Sequence, residues 1–176
     1  MRLFCFLIMV WPALTANVFA ATPGEVGVGS YLREATLQGL NTETKKLSDF
    51  RGKPLIINVW ASWCGPCRAE MGSLERLAKR FNGNEFNVIG ISTDDYREAA
   101  FGFIKSTRIN FENFIDRKLE LEHMLGANTI PLTLLVDSEG MVLQKARGAY
   151  EWDSPQTISA IADVFNLNLT QPNSDI

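Results

Sequence analysis

Trp63-Cys64-Gly65-Pro66-Cys67 sets two sulfurs in one C-x-x-C, at the point where an apolar run gives way to a helical pattern. The first turn of a helix offers free N–H groups and the positive end of the peptide dipoles. A cysteine held there can fall from about 8.5 to about 3.5–7.5 in pKa, so Cys64 is the expected nucleophile. Cys67 lies three residues on, on the same side, and is the expected resolving thiol. Pro66 suits the first turn because its missing N–H costs nothing there. The pair suits redox chemistry better than metal. A structural zinc site needs four ligands, and beyond this pair the chain offers Cys5 near the N-terminus and one histidine, His123. His123, among Glu122, Met124 and Leu125 on a short helix, reads as a surface or boundary residue. A covalent staple is a poor reading too, because a bridge over two residues closes almost no loop. Neither metal nor any other cofactor is expected.

The helix that follows carries an apolar stripe at Met71, Leu74, Leu77, Ala78 and Phe81, spaced for a core-facing surface. At about 100° per residue, Glu70 falls with Leu77 and Phe81 rather than with Arg68, Arg76, Lys79 and Arg80. It also stands three residues after Cys67. A carboxylate held there loses water and can exchange a proton with Cys67 while a mixed disulfide resolves. The plainer alternative is a boundary glutamate that reaches solvent or pairs with a nearby base.

A strand–helix frame must position these groups. Leu55–Trp60 is a continuous apolar run, as expected of a central parallel strand covered on both faces. The helix from the C-x-x-C runs to about Phe81, where Asn82-Gly83-Asn84 stops it. Further strands are predicted over residues 86–91, 111–115, 131–136 and 141–147, the last two joined by a hairpin-type turn at 137–140. Asp94-Asp95 opens a helix over 96–107, and another is predicted over 118–125. Ser154-Pro155 reads as an N-cap with proline at the first helical position, starting a last helix to about Phe165. Upstream, residues 35–47 read as two short strand pieces around a polar turn. The pattern is α/β: a central mixed β-sheet with helices on both faces, an N-terminal strand extension and a central strand–helix insert. The domain is expected over 34–166, between a Gly-rich flexible lead-in at 21–33 and a polar, frayed tail at 167–176.

The 176 residues suffice for one such domain with a full core. Apolar and charged fractions of 46% and 21% are those of an ordinary globular protein, and a net charge of −3 argues against nucleic-acid binding. Arg2, the apolar run Leu3–Val10 and the small residues around Val18-Phe19-Ala20 read as a signal peptide over residues 1–20, cleaved after Ala20 or Ala21. A retained membrane anchor is the alternative, weakened by Pro12, Thr15 and Asn17 because a span needs about 20 mostly apolar residues. Cys5 leaves with a cleaved leader, so the mature chain would hold only Cys64 and Cys67.

Asn58-Val59-Trp60-Ala61-Ser62-Trp63-Cys64-Gly65-Pro66-Cys67-Arg68-Ala69-Glu70 resembles the active-site segment of the thioredoxin superfamily. It is most similar to the exported TlpA/ResA-like thiol-disulfide reductases, which include cytochrome c maturation proteins. The match continues through Gly126–Asp137 and covers roughly residues 30 to 165, in motif order and spacing. The resemblance implies a thioredoxin-like fold with Trp63, Gly65 and Pro66 around the redox-active pair. It implies a cis Pro131 opposite the C-x-x-C, with Ile130 offering its backbone to an extended substrate segment, and an acid at Glu70. It further implies protein disulfide substrates such as apocytochrome c, a membrane thiol-electron transporter as reductant, and a periplasmic or other extracytoplasmic location. A monomer is expected. Asn58 departs from cytoplasmic thioredoxins, which place a buried aspartate at the matching point, and reads as a hydrogen-bonded core amide. Gly72 stands where many relatives have proline. The stretch 93–125 and the loop 148–155 resemble further features of the exported subgroup. Three rivals stand beside the reductase: an oxidase or isomerase of the same fold, a holdase or assembly factor with incidental cysteines, and a peroxidase. The last is disfavoured because Ala61 occupies the place of its threonine and Cys67 follows Cys64 too closely.

Overall fold

The computed structural model describes residues 24–169. Its elements in chain order are β1 (Thr36–Gly39), β2 (Lys45–Lys46), a single 3-10 turn (Leu47–Phe50), β3 (Leu55–Trp60), α1 (Gly65–Phe81), β4 (Asn87–Ser92), α2 (Arg97–Thr107), β5 (Glu112–Ile115), α3 (Glu120–Leu125), β6 (Leu132–Val136), β7 (Val142–Arg147) and α4 (Pro155–Phe165). The strands form one mixed sheet in the order β2-β1-β5-β4-β3-β6-β7. β3, β4 and β5 run parallel; β6 pairs antiparallel with β3 on one side and β7 antiparallel with β6, while β1 pairs antiparallel with β5 on the other.

β3 is central, and it is buried along its whole length because both faces are covered. Its alternation sorts the two halves of the core. Ile56 and Trp60 face a layer holding Leu74, Leu77, Phe86, Phe103 and Phe165 from the α1, α2 and α4 side. Leu55, Ile57 and Val59 face the opposite layer, with Phe114, Leu125 and Leu134. A period of two on a strand buried on both sides gives this division directly. α1 runs without interruption through Gly72 and buries Met71, Leu74, Leu77 and Phe81, the predicted stripe. α4 starts as read: the Ser154 hydroxyl accepts the Thr157 N–H at 3.2 Å, and Pro155 is the first helical residue.

Three expectations need correction. Residues 24–33 are not a flexible lead-in. Val26 and Leu32 are buried in the layer under Phe114. The Gly29 and Leu32 N–H groups donate to the Val142 and Gly140 carbonyls at 2.8 Å. Glu25 is ion-paired with Lys145 at 2.6 Å. The glycines suggested mobility, but two apolar side chains and paired backbone groups outweigh it. α3 begins two residues later than predicted, because Asp116 caps it from upstream: its carboxylate accepts the N–H groups of Glu120 and Glu122 at 3.1 and 2.8 Å. At the other end, Leu167 and Leu169 turn back onto the α4 side of the core, so the polar tail starts later than 167. The leader over residues 1–20 and residues 170–176 lie outside the described residues. Among the described residues no helix is long and apolar enough to cross a membrane.

Candidate active site

β3 ends at Trp60, and the chain turns through Ala61-Ser62-Trp63 to reach α1. The Thr93 N–H holds the Trp60 carbonyl at 2.9 Å, and the Cys64 N–H closes the turn on the Ala61 carbonyl at 3.1 Å. Cys64 is the N-cap of α1, and its Sγ accepts the Cys67 N–H at 3.2 Å. The helix therefore delivers a backbone donor to the sulfur that would carry negative charge after reduction. Cys64 and Cys67 are joined as a disulfide, with Cα atoms 5.3 Å apart. Their exposure differs, 6% for Cys64 and 0% for Cys67, so an incoming disulfide can meet only Cys64.

Ile130-Pro131 is a cis peptide, and the Ile130 carbonyl oxygen lies 3.8 Å from the Cys64 sulfur. The Pro131 carbonyl accepts the Gly148 N–H at 3.0 Å, which ties this loop to the end of β7. Residues far apart in the chain thus form one wall beside the nucleophile. Trp63 is 69% exposed at the rim, Gly65 and Pro66 are exposed beside it, and Ile130 is half-buried. An exposed tryptophan next to a reactive sulfur supplies apolar contact area to a docking chain.

Glu70 lies on the inner face of α1, 2% exposed. Three nitrogen donors converge on it: Asn58 Nδ2 at 2.8 Å, the Tyr150 N–H at 3.1 Å and Trp152 Nε1 at 2.9 Å. Burial raises its pKa above the ordinary glutamate value of 4.5, and the bonds from Trp152, Asn58 and Tyr150 offset only part of that rise. The boundary-glutamate alternative is therefore not what the fold builds, since no basic side chain pairs with Glu70 among the described residues. Asn58 is the expected core amide: its Nδ2 also donates to Thr133 Oγ1 at 2.9 Å, and its Oδ1 has no partner among the described residues.

Sequence reasoning brought Cys64, Cys67, Trp63, Glu70, Ile130 and Pro131 into the account, and the structure gathers them around the junction of central β3 with α1 and the start of β6. It missed Trp152, Thr133 and Ser73. The Ser73 hydroxyl accepts the Trp152 N–H at 3.1 Å, so the 148–154 loop is pinned onto α1 over Glu70. Only the loop's likeness to the exported subgroup pointed to this segment. His123 is exposed, as read. Among the described residues no group of three His, Cys, Asp or Glu side chains is placed to hold a metal ion.

A mixed sheet with this strand order, a dithiol pair at the mouth of the helix after the central strand, and a cis-proline loop opposite it define a thioredoxin-fold thiol-disulfide oxidoreductase. The chain belongs to the AhpC/TSA family, whose model matches residues 28–145. It is similar to the thiol-disulfide oxidoreductase ResA of Bacillus subtilis (strain 168), 26% identical over 86% of this chain and 81% of that protein. The ResA of Bacillus thuringiensis subsp. konkukian is 30% identical over 58% of this chain and 60% of its own length. Among solved structures, one assigned as the thiol:disulfide interchange protein DsbE of Chlorobium tepidum superposes with a TM-score of 0.70 at 27% identity, covering 78% of this chain and 99% of that one.

Proposed function

We propose that this oxidoreductase works in the reducing direction on disulfides of exported proteins, apocytochrome c among them. The observation that carries the reading is the asymmetry of the pair: Cys64 reachable beside the Ile130 carbonyl, Cys67 sealed on the side of Glu70. The Cys64 thiolate attacks one sulfur of the substrate disulfide, and the substrate's other sulfur leaves as a thiolate that takes up a proton. Cys67 then gives its proton to the Glu70 carboxylate and attacks the Cys64 sulfur. The second substrate sulfur leaves, two electrons have passed to the substrate, and the Cys64–Cys67 disulfide remains. A membrane thiol-electron transporter restores the dithiol. The Gly65-Pro66 dipeptide, matching that of reducing thioredoxins, supports the direction. The leader over residues 1–20 supports an extracytoplasmic location, with the protein acting as a monomer and without a bound cofactor.

Trapping tests this. A Cys67→Ser variant in its own cell envelope should retain the substrate as a mixed disulfide through Cys64, released by dithiothreitol. No trapped species would sink the protein-directed reading. A potential near or above about −120 mV, the region of strong oxidants, would reverse the direction. The peroxidase rival predicts hydrogen-peroxide consumption by the reduced pair, and none is expected.

Glu70 makes a separate prediction. Its raised pKa means the folded state holds this proton more tightly than the unfolded chain does. That contribution to stability is full below about 4.5 and is lost as pH rises through the folded value. Glu70→Gln should therefore lose less stability than the parent between pH 4 and 8, read by denaturant unfolding, while its second exchange step slows by about 10²-fold or more. Unchanged resolution rates would remove Glu70 from the mechanism.

A further inference from the structure

A second buried carboxylate stands on the strand side of the active-site turn. Asp94, two residues past the end of β4, is 2% exposed. Its Oδ1 accepts the Ser62 hydroxyl at 2.6 Å, and its Oδ2 accepts the Ser62 N–H at 2.9 Å and the Ser92 hydroxyl at 2.7 Å. The Asp94 N–H returns to Ser92 Oγ at 3.1 Å, and Ser92 is itself in register with Trp60 across β3 and β4. Asp94 thus joins the ends of two central strands to the residue two places before Cys64.

Every partner of that carboxylate is neutral. Among the described residues no Lys, Arg or His forms an ion pair with Asp94. The Ser62 N–H needs only one acceptor oxygen, which an asparagine or serine would supply without the cost of burying a charge. What an aspartate adds is a group able to carry negative charge, buried against the residue two places before Cys64. Like charge disfavours a thiolate. The disulfide is neutral and the reduced pair carries the thiolate, so a fixed negative charge here destabilises the reduced form and strengthens the pair as an electron donor.

We propose that Asp94 is a positioning residue of the dithiol site that holds the Ala61-Ser62-Trp63 turn and, through its charge, lowers the reduction potential of the Cys64–Cys67 pair. The inference rests on the oxidoreductase reading and deepens it. Glu70 lies beyond Cys67 on α1 and stays the same in every comparison below.

The test is the equilibrium of the purified full chain with dithiothreitol, followed by alkylation of free thiols. Asp94→Asn keeps the size and an acceptor for the Ser62 N–H but removes the charge. It should shift the equilibrium about tenfold toward the reduced form, which for a two-electron couple is a potential about 30 mV less negative. Ser62→Ala keeps the charge and the backbone bond while losing the hydroxyl bond, and should stay within about twofold of the parent, or under about 10 mV. Asp94→Ser repeats the charge removal with a smaller side chain, in case Asp94→Asn does not fold. An unchanged potential in the charge-removing variants overturns the proposal, and so does an equal shift in Ser62→Ala, which would trace the effect to turn geometry. Failure of the parent pair to equilibrate with dithiothreitol at all would instead strike at the oxidoreductase reading.

Discussion

Cys64→Ser is expected to slow disulfide reduction by at least about 10³-fold, because an alcohol at neutral pH offers no anionic nucleophile where the thiolate stood. The loss should be in the first step, with no mixed disulfide formed. Cys67→Ser should differ in kind. Its first step stays near the parent rate, since Cys64 keeps its N-cap position and the residue 67 N–H that points at its sulfur. Turnover then stops at the mixed disulfide. Stopped-flow mixing with a disulfide-containing peptide, quenched by acid and read by mass, separates the two outcomes. Mixed disulfide in Cys64→Ser and none in Cys67→Ser would exchange the roles assigned to the two sulfurs. Residual turnover above about one per cent in Cys64→Ser would contradict the nucleophile assignment. A holdase whose cysteines are incidental would be indifferent to both changes.

The second large effect lies in the sheet behind the site. Gly90, in the middle of β4, is in register with Asn58 and Asn113 on the flanking strands. A Cβ built there would come within 2.0 Å of Asn113 Oδ1 and 2.8 Å of Trp60 Nε1. Those atoms form a hydrogen bond of 3.0 Å, fully buried across the face of β4. They have little room to move: Asn113 is also fixed by its Nδ2 bond to the Phe111 carbonyl at 2.9 Å and by its N–H bond to Asn41 Oδ1 at 2.7 Å. Gly90→Ala must either displace a buried tryptophan or break its bond. A cost of about 3 kcal/mol or more is expected, combining overpacking with an unpaired buried donor. Urea unfolding measures it, and a loss below about 1 kcal/mol would mean the strands can separate to admit a methyl group. Adding Asn113→Ala would relieve the nearer clash but leave the indole N–H without its partner, so stability should recover only in part.

How far the sequence could be read depended on the range of each contact. Alternation in β3 and the stripe on α1 came through because they are set by neighbours within a turn or a strand. The same geometry put Glu70 on the inner face of α1. Residues 24–33 were misread because glycine content is a local signal, while burial of Val26 and Leu32 depends on β7 and α3 arriving beside them. Asp94-Asp95 shows the limit most sharply. The two aspartates look alike in sequence, yet Asp95 is exposed and Asp94 is buried on Ser62. Ser92 bonds Asp94 locally, but that Asp94 meets the active-site turn is decided by how β4 lies against β3.

The class of chemistry is legible in the linear chain. Two cysteines at C-x-x-C spacing, at a strand-to-helix junction, stand one helical turn apart however the rest packs, which is the spacing a nucleophile and a resolver need. What surrounds them is not. The Ile130 carbonyl reaches Cys64 across 66 residues, and the Trp152 indole reaches Glu70 across 82. Such meetings are products of sheet order and loop closure, which no local propensity encodes. They bury Cys67 and Glu70 and leave Cys64 as the more accessible sulfur of the pair.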